Sequence, residues 1–402
     1  MKKKHIIVSS IIICTMLLLT GCETFNNFRV GFFAPEEERG EVIRIGVFQP
    51  LSGAQQRYGE LEVRGIQLAH ELFPTVLGAE IELVFADNRS DIYIAEAAIQ
   101  TLISRNPLVV LGSYGEIFSL IAAEHLEQAS IPAIAITNTN WLITSNNPFY
   151  FRVCFVDSFE GVVAARYAVE EMGVSAAAIF RPMNDDAAVA VSQAFWDTMV
   201  RLTGNEDVIV SSQDFVPNND NFRVQLTTIR NSGAEVVFMP STNIDDAAEI
   251  LKQAEEIGVR AIFLGTSTWD NPELIEKAGE AAEGIVFSTI FDPEVGITET
   301  TEIFLRAYRE KYGEDAVPSA QVALAFDAYL VAIDAISRAG APFTGARVKI
   351  ELANTRDFPG AAGSITFDER GDPIKPVVIR TVRRGEIVST YIAEPELVDI
   401  EE

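Results

Sequence analysis

The chain has 402 residues, 48% of them apolar and 22% charged, with a formal net charge of −27. That length supports two or three domains with sizeable cores, and the composition is that of a folded soluble protein. The acidity excludes nucleic acid and an anionic membrane surface as partners, because either would meet a repulsive field.

The chain opens with a targeting pattern. Lys2, Lys3 and Lys4 precede an apolar stretch from Ile6 to Leu19 that is too short to span a bilayer comfortably. In "LLTGC" a small residue stands directly before Cys22. This resembles the lipobox of bacterial lipoproteins, in which the cysteine becomes the lipidated first residue. Residues 1–21 are therefore expected to be a signal peptide and residues 22–41 a tether without clear periodicity. Cys14, Cys22 and Cys154 are the only cysteines. Once Cys14 is removed and Cys22 lipidated, Cys154 has no partner for a disulfide and is expected to be a buried core thiol.

From Val42 onward short β-branched runs alternate with helical patterns, the signature of βαβ units. "VIRIGVFQP", "IELVFADN", "LVVLGS" and "IPAIAIT" are predicted strands, with "RGIQLAHELF", "YIAEAAIQTLISR" and "IFSLIAAEHLEQA" as the helices between them. The rhythm restarts at "GVVAARYAVEEMG" and runs through "AAAIFRP", "DVIVSSQDF", "EVVFMP" and "AIFLGT". Near-continuous apolar strands imply helices on both sheet faces, hence two doubly wound parallel-sheet lobes. The remainder, from about Gly284, lacks the series needed for a third core and is expected to return to complete the earlier lobes.

In open α/β sheets ligands bind beyond the carboxyl ends of the strands. The segments there are "QPLSGAQQRYGE", "GSYGE", "TNTNW", "RPMNDD", "PSTNIDD" and "GTSTWDNPE". They are rich in Ser, Thr, Asn and small residues, suited to a small polar ligand, with Tyr58 and Trp269 as stacking walls.

Four segments resemble the substrate-binding proteins of branched-chain amino-acid-type ABC transporters. They are "IRIGVFQPLSGAQQRYGELEVRGIQLA", "IPAIAITNTNWLIT", "IFLGTSTWDNPELIEKAGEAAEGI" and "FPGAAGSITFDERGDP". The resemblance spans Val42 to about Ile392 and implies the type I periplasmic binding fold, α/β with two lobes joined by a three-crossing hinge. On that basis lobe 1 is expected at 42–156 with a return at 289–376. Lobe 2 is expected at 157–288 with a return at 377–402, which includes the C-terminal tail. The implied partners are a small polar ligand, ABC permease and ATPase subunits, and the membrane through lipid on Cys22. The protein is expected to be a monomer without cofactor or metal.

The resemblance implies Tyr58 and Thr139 in the ligand cleft, with Ser113, Tyr114 and Asn138 beside them. Relatives that bind amino acids usually carry a Ser or Thr aligned with Glu116, an acid aligned with Ser267, a tyrosine aligned with Asp186 and often an aromatic aligned with Thr242. These departures disfavour an ordinary zwitterion, since a ligand carboxylate beside Glu116 would meet a like charge. A cationic, amide, polyol or nucleoside-like ligand fits better. Ser113 and Asp270, each three residues from a departing position, could restore the usual pattern. Each acid also has a plain structural reading. Glu116 is favourable in a first helical turn, and Asp185 and Asp186, like Asp245 and Asp246, stand where helix caps do. The same departures leave open an envelope receptor or regulatory lipoprotein of this fold without a transport role. Catalysis finds no motif. His70 and His125 lie in amphipathic helices, and metalloprotease, nucleophile-elbow, phosphate-loop and Cys-x-x-Cys patterns are absent.

Overall fold

The computed structural model describes residues 42–241, 243–295 and 298–393. Its first sheet begins with β1 (Val42–Gln49), in which Ile43, Ile45, Val47 and Phe48 are sealed from solvent. A strand buried on both faces needs helices on both sides. The chain supplies them in order: α1 (Gln56–Leu72), an edge pair β2 (Thr75–Val76) and β3 (Ala79–Asp87), α2 (Ile92–Ile103), β4 (Val109–Gly112), α3 (Glu116–Gln128), β5 (Ala133–Ala135) and β6 (Tyr150–Arg152). The sheet order is β2-β3-β1-β4-β5-β6, parallel except for β2. The winding reverses between β1 and β4, which places a crevice beyond their ends.

The second sheet is built the same way from α4 (Asp157–Arg166), β7 (Ala177–Pro182), α5 (Asp186–Thr203), β8 (Ile209–Phe215), α6 (Arg223–Ser232), β9 (Val236–Phe238), α7 (Ile244–Ile257), β10 (Ile262–Gly265), α8 (Pro272–Ala278) and β11 (Val286–Thr289). Here α5, α6 and α7 stop at Gly204, Gly233 and Gly258, each left-handed, a backbone state that costs glycine least. The parallel strands run β11-β10-β9-β7-β8, and the winding reverses between β7 and β9. One face of this sheet packs on α4 and α5, the other on α6, α7 and α8.

After β11 the chain goes back to the first sheet. Helices α9 (Glu299–Tyr312), α10 (Ala320–Ala339) and α11 (Gly345–Ala353) join α1 in the core on one face of that sheet, while α2 and α3 cover the other. A small sheet of β12 (Phe358–Gly360), β13 (Gly363–Phe367) and β14 (Pro373–Ile374) follows. Finally β15 (Val377–Arg383) adds antiparallel to β11, and β16 (Glu386–Ala393) adds antiparallel to β15. The chain thus passes between the two lobes three times, after β6, after β11 and after β14.

Helix α10 is apolar on nearly all sides, the pattern of a core helix, and it is the one described helix long and apolar enough to cross a membrane. Its single buried carboxylate, Asp327, accepts the Ala361 and Ala362 N–H groups in the turn between β12 and β13, the latter at 2.9 Å. At the first crossing the buried Arg152 pairs with Asp372 and donates to the Asn138 carbonyl at 3.0 Å and the Thr144 hydroxyl at 2.7 Å. Cys154, next along, is buried, and burial pushes its thiol up to about 12.

Helices α1 and α10 approach closely at Gly65, where an added Cβ would lie 2.2 Å from the Val322 carbonyl oxygen and 2.7 Å from the Ala325 Cβ. Both neighbours are buried in the N-terminal part of α10. Gly65→Val is expected to lower the unfolding free energy by about 1–3 kcal/mol or more, read as a shifted urea midpoint at unchanged slope. A midpoint equal to that of the parent would mean that the two helices are not held at this distance.

Candidate functional site

A cavity of about 530 Å³ opens between the carboxyl ends of the two sheets. That is within the range of sites for small molecules. Lobe 1 contributes Tyr114, Thr137 and Thr139 after β4 and β5, and Ser319, Gln321 and Leu324 from the start of α10. Lobe 2 contributes Asp157 and Glu160 on α4, Asp185 before α5, Ser267 and Asp270 after β10, Thr289 at the end of β11, and Arg380 on β15. Pro240, Pro272, Phe291 and Val317 make the remaining wall largely apolar.

The turn from β4 into α3 holds Tyr114 in place. Its N–H donates to Gln49 Oε1 at 2.9 Å, and its ring stacks on Tyr58 at 4.8 Å with planes 10° apart. Gly115 has φ +85°, and a Cβ there would stand 2.5 Å from Gln55 Oε1, so the turn needs glycine. Behind it lies a buried polar network. Asn88 donates to Ser113 Oγ at 2.7 Å, and Asn138 donates to the Ser113 carbonyl at 2.8 Å and to Ser119 Oγ at 2.6 Å. Such fully partnered networks specify one backbone geometry.

On the facing lobe Asp157 and Glu160 are three residues apart and share one side of α4. Glu160 Oε1 accepts from the Ser267 N–H at 2.7 Å and the Ser288 hydroxyl at 2.9 Å. Burial pushes the Glu160 carboxyl up to about 7 against these hydrogen bonds, and repulsion from Asp157 adds to the rise. Asp157 is pushed up to about 6, chiefly by burial, with Glu116 and Asp185 adding repulsion and the Thr139 hydroxyl and Arg152 opposing it. Asp270 differs, because it accepts from Thr289 at 2.6 Å and from Arg380 at 2.8 Å. Arg380 also holds Asp292 at 2.9 Å, so its charge is committed to two carboxylates.

Four of the residues singled out from sequence meet in the cavity wall: Tyr114, Thr139, Ser267 and Asp270. Tyr58 stands one layer back as the stacking partner of Tyr114. Ser113 and Asn138 are buried in the network that shapes the turn and do not line the cavity. Glu116 begins α3 outside the wall, where it accepts from Asn140 Nδ2 at 3.2 Å. Asp186 is exposed, whereas its neighbour Asp185 caps α5 by accepting the Ala188 N–H at 2.9 Å and faces the cavity. Trp269 is corrected. It is no stacking wall but a fully buried core residue whose indole donates to the Ser241 carbonyl at 3.2 Å. A short 3-10 turn folds the ring back over Gly265, where any Cβ would lie 2.1 Å from it. Thr242 and Cys22 lie outside the described residues.

Sequence reading missed Asp157, Glu160, Asp185 and Arg380 as wall residues. At Ser267, which the resemblance aligns with an acid in relatives, the backbone N–H donates to the Glu160 carboxylate at 2.7 Å. The segment "DSFEG" directly after the first crossing was the available signal. Among the described residues no cluster of His, Cys, Asp and Glu could hold a metal ion.

Two α/β lobes with a polar cavity between them define a binding protein. The chain belongs to the periplasmic binding protein family, whose model matches residues 42–386. It is similar to a leucine-binding protein of Thermotoga maritima, at 33% identity and TM-score 0.75 over 89% of this chain and 100% of that one. It is also similar to a branched-chain amino acid transporter substrate-binding protein of Streptococcus pneumoniae in complex with isoleucine, at 25% identity and TM-score 0.72 over 88% and 99% of the two chains. Among curated relatives, Leu/Ile/Val-binding protein homolog 2 of Brucella abortus is 24% identical over 86% of this chain and 91% of its own length. The protein is accordingly an extracytoplasmic solute-binding protein and not an enzyme.

The raised carboxyls make stability depend on pH. A carboxyl whose folded pKa exceeds its unfolded value binds protons more readily when folded, so its contribution is lost as pH rises through that interval. For Glu160 the interval runs from 4.5 to about 7, and Glu62, buried in lobe 1, spans the same one. The empty protein should therefore melt higher at pH 5.5 than at pH 8. Glu160→Gln should narrow that difference without abolishing it. A difference of the parent's size in the variant would remove Glu160 from the account.

Proposed function

We propose that this chain is a lipid-anchored solute-binding protein that captures a small polar molecule, an amino acid, amide or related metabolite, and delivers it to an ABC permease. The observation that carries the reading is the cavity between the lobes, lined by hydrogen-bonding groups together with apolar residues. Family membership and the leucine and isoleucine relatives support it. Divided at the three crossings, the chain gives lobe 1 (42–156 and 289–376) and lobe 2 (157–288 and 377–402, of which 394–402 lie outside the described residues). The crossings act as the hinge about which the lobes close on the ligand, and closure is the signal the permease recognises. Lipid on Cys22 keeps the protein at the outer face of the membrane, with residues 22–41 as the tether.

Two measurements test this. A metabolite at a hundredfold excess over its Kd stabilises the folded state by about 2.7 kcal/mol, so thermal shift across polar metabolites should find binders. A complete absence of shifts would sink the reading. Cys22→Ser should move the expressed protein from the membrane fraction to the soluble fraction; a variant still held at the membrane would show that the anchor is not this lipid.

A further inference from the structure

The cavity wall carries four carboxylates, Asp157, Glu160, Asp185 and Asp270, and one cation, Arg380. These charges are not equivalent. Asp270 is matched by Arg380, which is itself shared with Asp292. Asp185 is matched by the start of α5, where it accepts the Ala188 N–H. Glu160 is hydrogen-bonded to a backbone N–H and a hydroxyl, and these are neutral. Asp157 has the Thr139 hydroxyl, with the Arg152 charge already committed to Asp372. Three wall carboxylates, Asp157, Glu160 and Asp185, are thus left without a dedicated cation, each of them at or within the first turn of a helix.

A ligand carboxylate would find no free positive group among the described wall residues. A ligand cation would find Asp157 and Glu160 three residues apart on one helix side. It would also find the face of Tyr114, whose ring is backed by Tyr58. The start of α10 offers a further neutral contact. Ser319 Oγ is buried without a hydrogen-bond partner, and Ser319 lines the cavity beside Gln321.

We infer that the ligand is a small net-cationic molecule, an amine, a guanidine or an amino acid whose carboxyl is masked as an amide. Its charged nitrogen sits between Asp157 and Glu160, and its neutral polar end reaches Ser319 and Gln321. Glu160 and Asp157 are the specificity-determining residues. This rests on the solute-binding reading and names the ligand class for the same cavity.

The test is calorimetric titration and thermal shift of the purified full chain with leucinamide, agmatine and putrescine as cations, leucine as the zwitterion, and glutamate as the anion. At least one cation is expected to bind and leucine and glutamate to leave the protein unshifted. Loss of a charge-assisted hydrogen bond should weaken that cation roughly tenfold to a hundredfold in both Glu160→Gln and Asp157→Asn. The circular dichroism of each variant checks that it is folded. Binding of leucine without any cation would overturn the inference and leave the solute-binding reading standing. Silence of the whole panel, with shifts from other polar metabolites, would do the same. Cation binding undiminished in both variants would remove the assigned residues and the inference with them.

Discussion

The burial of α10 against the first sheet is the constraint on which the rest of the molecule depends. A twenty-residue apolar helix cannot be left in water, and α10 is buried in the core on one face of the lobe built first. The chain, having already built the second sheet, must therefore go back, and must then leave again to add β15 and β16. A single connection would have given two beads on a string. Three connections give a paired arrangement in which the sheet ends face each other across a cavity. The same helix delivers Ser319, Gln321 and Leu324 to that cavity. Its buried Asp327 fixes the turn between β12 and β13.

Charge is distributed around that framework according to where it can be matched. Arg152 and Asp372 tie the first crossing to the segment before the third. Arg380 on β15 ties Asp270 to Asp292, which lies on the second crossing just after β11. Pairs of this kind lose much if one partner is removed and contribute geometry more than stability. Glu160 and Asp157 face the cavity with neutral hydrogen-bond partners, whereas Glu62, buried in lobe 1 and not part of the cavity wall, is likewise held by the neutral side chains of Gln49 and Thr137. Asp157 and Glu160 stand on a helix that begins directly after the first crossing, and Glu160 reaches the loop after β10 through the Ser267 N–H.

The alternation of elements was legible because strands buried on both faces read as continuous apolar runs, separated by helices of ordinary length. The position of Tyr114, Thr139, Ser267 and Asp270 was legible for a related reason, since residues just past parallel strands gather at one edge. Glu160 was not. It lies on a helix, and its partners Ser267 and Ser288 are 107 and 128 residues away, brought close only by the second sheet. Trp269 was misread because a polar loop around an aromatic says nothing of which way the ring turns; Gly265, four residues earlier, held that information. Asp185 lines the cavity where Asp186 was expected, because a one-residue shift at a helix start changes whether a side chain caps inward or points to water.

The unmatched carboxylates also act at a distance. Low-dielectric walls on either side of an acidic crevice focus the field of a protein whose net charge is −27 toward its mouth. On the inferred ligand class, such a field would speed the encounter of small cations with that mouth and slow that of small anions. Encounter therefore becomes a kinetic filter that precedes recognition, one that weakens as ionic strength rises and the Debye length shrinks.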